Sequence, residues 1–397
     1  MKNKIYAFFI ILYIITSCNN SEIKSFYPQS ENKKSTLPEG SVRLKVISNR
    51  LVVDVKVNDT ICQFEFDSGS PSFCLSNKGI KKLKIEKYSK SDNKININSL
   101  VISGDSSCNI KASIDDGISD YDGLIGFNLE DEILKKRTWE FSISNNYLKI
   151  WDANISLDYS NKIIIPFEVD KRWSVLTIKL DAIFSGNSRV VQTNYKYLLD
   201  TGTPYFAVIT RILPQFEEFL NAQPCIDRDI PPKFIHKLIY VNNVTLPLDT
   251  VGIDSITISR TFFGPRNVDF CGTIGMEFIK HYDFYVDFNK QIVVLSKNNL
   301  KYPIPSYRKN NLGFDIKHGS NGICKVLTIY KQSNAEKAGI KLNDIILSIN
   351  GVNEFTKQNI VNLKRISLNK PLNVIIKRDS DTLYFNFEPT KNFMTNW

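Results

Sequence analysis

The stretch Phe64-Glu-Phe-Asp-Ser-Gly-Ser-Pro-Ser-Phe-Cys-Leu75 reads as a buried strand that ends on a carboxylate, Asp67, and turns sharply through Ser68 and Gly69. The chain writes this pattern twice. Tyr197-Leu-Leu-Asp-Thr-Gly-Thr-Pro-Tyr-Phe-Ala-Val208 repeats the Asp, hydroxyl, Gly, hydroxyl, Pro and Phe in register, and Asp200 follows Asp67 by 133 residues. A single Asp-Ser-Gly is an ordinary surface turn, since all three residues are favoured there. Two copies in matched apolar frames call for a shared cause.

Working outward, the duplication continues. Asp122-Gly-Leu-Ile-Gly-Phe127 is answered by Cys271-Gly-Thr-Ile-Gly-Met276. Beyond these, Trp139-Glu-Phe-Ser-Ile-Ser-Asn-Asn-Tyr-Leu-Lys-Ile150 and Tyr282-Asp-Phe-Tyr-Val-Asp-Phe-Asn-Lys-Gln-Ile-Val-Val-Leu295 each read as a hairpin with an Asn-containing turn. Upstream, Val42-Arg-Leu-Lys-Val46 and Leu51-Val-Val-Asp-Val-Lys-Val57 alternate apolar and polar residues as half-buried strands do. A repeat this long is no solenoid and fits two homologous lobes, expected over 41–155 and 160–301.

The chemistry follows from burial. An ionised carboxylate left alone at the end of an apolar strand costs several kcal/mol, roughly, so Asp67 and Asp200 each need donors or a partner. If the lobes pack about a pseudo-two-fold axis, the two side chains meet, and one proton shared between them removes the like-charge problem. The ionised member can then take a proton from water while the protonated member donates to a peptide carbonyl. Gly69 and Gly202 let backbone approach the carboxylates, and the hydroxyls of Ser68 and Thr201 can bond across the interface. Ser70 and Thr203, the second hydroxyls of the two frames, complete the supporting set.

These paired frames, each with its later Leu124-Ile125-Gly126 or Thr273-Ile274-Gly275 element, resemble the aspartic peptidases of the pepsin and retropepsin type. The resemblance covers about 42–300, and the short lobes look more like two fused retropepsin-like units than full pepsin lobes. It implies a mainly β fold of two pseudo-symmetric β-barrel lobes with Asp67 and Asp200 as a catalytic dyad. Thr273 departs mildly from the family pattern, where an aliphatic residue is expected. The flap of such an enzyme is sought within 92–112 and 236–250.

Pro303 and Pro305 punctuate a linker, and a third unit is expected over 308–391. Its Asn311-Leu-Gly-Phe314 opens a strand. Ser333-Asn-Ala-Glu-Lys-Ala-Gly339 reads as a short helix stopped by glycine, and Asn350-Gly351 as a turn. This unit resembles a bacterial-type PDZ domain, α+β in class. The resemblance implies that the loop Leu312-Gly313-Phe314 offers backbone N–H groups to a peptide carboxylate or strand, beside a helix at about 357–366. A PDZ fold that only packs against the lobes is the other reading of it.

At the N-terminus, Lys2 and Lys4 precede the apolar run Ile5–Ile15, which has the length of a signal-peptide core and is too short to span a membrane. The following Ile15-Thr-Ser-Cys18 resembles the lipobox of bacterial lipoproteins. It implies a signal peptide over 1–17, lipidation of Cys18, a flexible tether over 18–40, and anchoring to a cell-envelope membrane. An ordinary signal peptide containing a cysteine is the alternative. Of seven cysteines, the six beyond Cys18 can form disulfides in fifteen ways or remain buried thiols, and none has metal-ligand spacing.

The formal charge of +10 is spread along the chain, with a denser stretch over 78–87 read as a solvated face, and no nucleic-acid motif accompanies it. HExxH, a phosphate-binding glycine loop and GxSxG are absent, so no metal or other cofactor is expected. The expected function is an aspartic endopeptidase acting on extended peptide or unfolded protein segments. The alternative is an envelope protein that binds peptides on the same scaffold without cutting them.

Overall fold

The computed structural model describes residues 37–390 apart from 48, 71–72, 86–93, 116–119, 128–136, 153–155, 171–173, 187–188, 210–213, 224, 231–233, 247–252, 262–269, 303–310, 319–322, 331–332 and 365–369. Cys18, the signal segment, most of the tether and the linker prolines lie outside the described residues.

The first lobe is built from β1 (Val42–Val46), β2 (Leu51–Val57), β3 (Thr60–Phe66), β4 (Phe73–Leu75), the short helix α1 (Asn77–Lys82), β5 (Lys94–Ile102), β6 (Asp105–Ile114), β7 (Gly123–Ile125), β8 (Thr138–Ser142) and β9 (Tyr147–Trp151). Along β2, Val53, Val55 and Val57 are buried while Asp54 and Lys56 face outward, the alternation of a strand with one wet face. Asn58 and Asp59 turn it into β3 with φ of 44° and 66°. Those left-handed values match the twist of a two-residue hairpin and suit Asn and Asp. The β5–β6 hairpin uses Ser103 and Gly104 in the same way, at 52° and 81°.

The second lobe follows with β10 (Ile163–Asp170), β11 (Val175–Gly186), β12 (Arg189–Leu199), β13 (Ala207–Ile209), α2 (Pro214–Asn221), β14 (Cys225–Ile230), β15 (Phe234–Thr245), β16 (Ile253–Thr261), β17 (Gly272–Ile274), the single turn α3 (Met276–Ile279), β18 (Tyr282–Asp287) and β19 (Ile292–Lys297). Its pairing repeats that of the first lobe. β3 runs parallel to β7 with Phe64 opposite Gly123 and Phe66 opposite Ile125, and β12 runs parallel to β17 with Tyr197 opposite Gly272 and Leu199 opposite Ile274. β4 lies antiparallel to β7 and parallel to β6, as β13 does to β17 and β16.

The lobes share a sheet through the antiparallel pair β8–β18, which sets Phe141 opposite Phe284. Their rings stack at 4.4 Å and 6°, and with Phe66, Phe127 and Trp139 they belong to one apolar core that runs through both lobes.

The third unit contains β20 (Phe314–His318), β21 (Cys324–Tyr330), α4 (Asn334–Ala338), β22 (Ile345–Ile349), α5 (Lys357–Lys364), β23 (Leu372–Arg378) and β24 (Asp381–Phe387). Ser333 caps α4 by accepting from Glu336 N, and Gly339 ends the helix at φ 96°, where a side chain would be strained. Asn350 and Gly351, at 48° and 80°, form the expected turn. The strand begins at Phe314, after the Asn311–Gly313 turn. This unit has a core of its own, around Leu312, Phe314, Val326, Ile349 and Ile376. It is nevertheless joined to the second lobe, because β21 pairs antiparallel with β14, setting Ile226 opposite Tyr330 and Arg228 opposite Thr328.

Candidate active site at the junction of two lobes

Each aspartate leaves its strand at a loop pinned from behind. Asp67 N donates to Ile125 O at 2.8 Å and Asp200 N to Ile274 O at 2.9 Å, so the apolar-apolar-Gly elements hold the loops by their backbone. A Cβ on Gly126 would stand 1.8 Å from Ser70 O, and one on Gly275 would stand 2.4 Å from Thr203 O. Only glycine fits at either place.

The two loops then exchange hydroxyls. Ser68 Oγ donates to Leu199 O at 2.8 Å and accepts from Thr201 N at 3.0 Å. Thr201 Oγ1 donates to Phe66 O at 2.7 Å and accepts from Ser68 N at 2.9 Å. Both side chains are buried, and this four-bond exchange locks one lobe's loop to the other's.

The carboxylates cross in the same manner. A Cβ on Gly202 would lie 2.5 Å from Asp67 Cγ, and one on Gly69 would lie 2.8 Å from Asp200 Cγ. Each acid therefore sits over the opposite lobe's glycine, and the two side chains hydrogen-bond to each other. Asp67 Oδ1 also accepts from Gly69 N at 2.9 Å, and Asp200 Oδ1 from Gly202 N at 3.0 Å. Thr203 Oγ1 adds a bond to Asp200 Oδ2 at 2.8 Å, while Ser70 N and Thr203 N donate to the carbonyls of their own aspartates at 3.1 and 3.2 Å. Asp200 is buried; Asp67 is half-buried.

Desolvation pushes both acids up. At Asp67 the charges of Asp200 and Glu65 add to it, carrying that group well above the carboxylate range, and the Gly69 amide only partly offsets them. At Asp200 burial is opposed by the Thr203 hydroxyl, the bond from Asp67, the Gly202 amide and the charge of Arg50.

Sequence reading missed the ring of charge around this pair. Glu65, in phase with Asp67 on β3, forms a buried ion pair with Arg50, both side chains 1% exposed. Glu277 Oε2 accepts from Thr257 N at 2.7 Å and Phe206 N at 3.2 Å behind the Asp200 loop. The legible signal for Glu65 was a charged residue inside an otherwise apolar strand.

Of the regions searched for a flap, the β5–β6 turn is fastened elsewhere. Ser103 Oγ donates to Gly40 O at 2.6 Å and accepts from Ile150 N at 2.7 Å, which holds that tip against the lobe's own first and last strands. The β15–β16 connection lies outside the described residues.

In the third unit, Leu312 and Phe314 are buried in the core. Gly313, at φ 79°, has its carbonyl held by Tyr330 N at 2.9 Å and Ser333 Oγ at 3.2 Å. β20 pairs with β21 along one edge, and along its other edge with no strand among the described residues. The cysteines described in full, Cys62, Cys74, Cys271 and Cys324, are thiols rather than disulfides.

No curated protein matches the chain. Among solved structures, the aspartic proteinase from Irpex lacteus aligns with 65% of this chain and 97% of its own, at 13% identity and a TM-score of 0.44. Residues 325–378 match the family model of the PDZ domain, so the C-terminal unit of this chain contains a PDZ domain, a module that binds peptides.

Proposed function

We propose that this protein is an aspartic endopeptidase that hydrolyses extended polypeptide segments through Asp67 and Asp200. The observation that carries the reading is the crossing of the two carboxylates, each seated on the opposite lobe's glycine and sharing a hydrogen bond. Two acids so placed cannot both be ionised cheaply, so the pair holds one proton and works as acid and base together. Ser68 and Thr201 keep the loops in register, with Ser70 and Thr203 behind them. The matched registers of the two lobes support a pepsin-like pseudodimer of retropepsin-type units over 41–155 and 160–301.

In this reading the PDZ unit, over 308–391, takes a peptide C-terminus or strand at Leu312–Phe314 and brings substrate to the lobes. Lipid on Cys18, with residues 18–40 as a tether, holds the enzyme at a membrane face of the cell envelope.

The test is cleavage of a diverse peptide library between about pH 3 and 8. Asp67→Asn and Asp200→Asn are each expected to reduce cutting by roughly 10³-fold, as loss of a general acid or base does. Binding of peptides by the unaltered chain with no cutting at any pH would make it a peptide-binding protein on this scaffold.

A further inference from the structure

The PDZ unit is joined to the second lobe by paired backbone as well as by the chain. Near its C-terminal end β21 lies between two strands, with Phe314 of β20 opposite Ile329 and Ile226 of β14 opposite Tyr330. β14 pairs in turn with β15, setting Cys225 opposite Ile239, and β15 pairs with β16, setting Ile239 opposite Ile258. β16 runs beside β13, with Ile258 opposite Ala207, and β13 is the strand that leaves the loop of Asp200. One ladder, β20–β21–β14–β15–β16–β13, therefore leads from the PDZ loop Leu312–Phe314 to one of the two acids. Among the described residues the first lobe has no strand pairing with the PDZ unit.

Both ends of the ladder are fastened by further bonds. At the PDZ end Tyr330 N donates to Gly313 O at 2.9 Å. The buried Asp315 of β20 accepts from Thr328 Oγ1 at 2.9 Å, and Thr328 is one of the residues of β21 that pair with β14. At the other end Phe206 N donates to Thr257 O at 2.9 Å, and Gly275 N donates to Phe206 O at 2.8 Å. The buried carboxylate of Glu277, bonded to the amides of both Phe206 and Thr257, clamps β16 to the Asp200 loop. Buried hydrogen bonds are costly to leave unmade, so order imposed at one end is passed along such a chain rather than absorbed in it.

The outer edge of β20 carries no strand among the described residues, and a sheet opens most readily from an edge of that kind. A peptide laid along the edge closes it with backbone bonds. We propose that a peptide held by the PDZ unit acts on the Asp200 half-site through this ladder, steadying the loop of Asp200 and raising the rate of cutting, whatever substrate it also delivers. The effector is an extended peptide with a free carboxylate. The effect on cutting rests on the peptidase reading of the dyad; the effect on the loop does not. A first ligand that orders the ladder leaves less ordering for a second to impose, which is positive coupling without a change of shape.

The experiment is amide hydrogen exchange on the full chain, without and with the tightest-binding peptide from an array of short peptides with free C-termini. Exchange at Phe206 and Thr257 is expected to slow by about 5-fold or more, the lower end of ordinary coupling, while Phe73, which takes the place of Phe206 in the first lobe, is unmoved. The same peptide is then added in trans to cleavage of a peptide library with amidated C-termini. Delivery by the PDZ unit does not help substrates whose ends are blocked, whereas the ladder predicts cutting raised by about 5-fold or more. Ile226→Pro removes one backbone donor of β14, and with it a rung on whichever side that donor faced, and should lose the slowing while the peptide still binds. Should that variant fail to fold, the comparison with Phe73 still decides. The proposal is overturned by unchanged exchange at Phe206 and Thr257, by equal slowing at Phe73, by full slowing in Ile226→Pro, or by an array with no binder. Slowed exchange in a chain that cuts at no pH sinks the peptidase reading and leaves the ladder standing. Cutting that the added peptide leaves unmoved sinks the coupling and leaves the peptidase reading intact.

Discussion

Asp67 and Asp200 fill the space that a side chain on the facing glycine would need, which is why small residues and acids had to be read together at this site. The raised pKa of Asp67 is also a statement about stability. A group whose folded-state value lies above its unfolded value stabilises the fold while protonated and loses that contribution as pH rises through the folded value. The window opens near the unfolded carboxylate value, about pH 4, and closes at the raised value of Asp67. Asp67→Asn is therefore expected to lose less stability than the unaltered chain between about pH 4 and 8, by at most about 1.4 kcal/mol per pH unit across the window. Denaturant midpoints across that range check it; parallel curves would mean that Asp67 ionises at no cost. The Asp-hydroxyl-Gly-hydroxyl frames were legible because local turn chemistry writes them out twice. Arg50 was not, since nothing local ties it to Glu65, 15 residues on, until strand pairing brings them together.

At the scale of elements, the duplication extends to strand register, and the lobes meet along a seam where Phe141 and Phe284 stack. Truncation of one ring there removes a fully buried aromatic from a core common to both lobes. Phe141→Ala should cost about 3–5 kcal/mol in chemical denaturation and still unfold both lobes together. Separation into two transitions would show that the coupling of the lobes hangs on this one ring rather than on the rest of the shared core. The hairpins were readable from their turns, as at Asn145–Asn146 between β8 and β9. The β14–β15 hairpin was not. It has no counterpart among the described residues of the first lobe, so the repeat that revealed the other elements is silent about it.

For the molecule as a whole, the order of two lobes and a C-terminal PDZ unit could be taken from repeats and punctuation, whereas the strand-to-strand bond between β14 and β21 could not. It joins residues about a hundred positions apart through backbone groups that carry no side-chain signature. That bond has a bearing on solubility. With β21 in place, β14 is flanked on both sides; without it, a row of backbone donors and acceptors faces water, which is the template on which chains assemble edge to edge. A chain cut at residue 308 is therefore expected to self-associate, visible as a larger species in light scattering, where the full chain stays monodisperse. A truncated chain that remains monomeric would mean β14 is shielded by something else. If the cut chain does self-associate, the PDZ unit acts, beyond any peptide it binds, as a built-in guard against aggregation of the lobes.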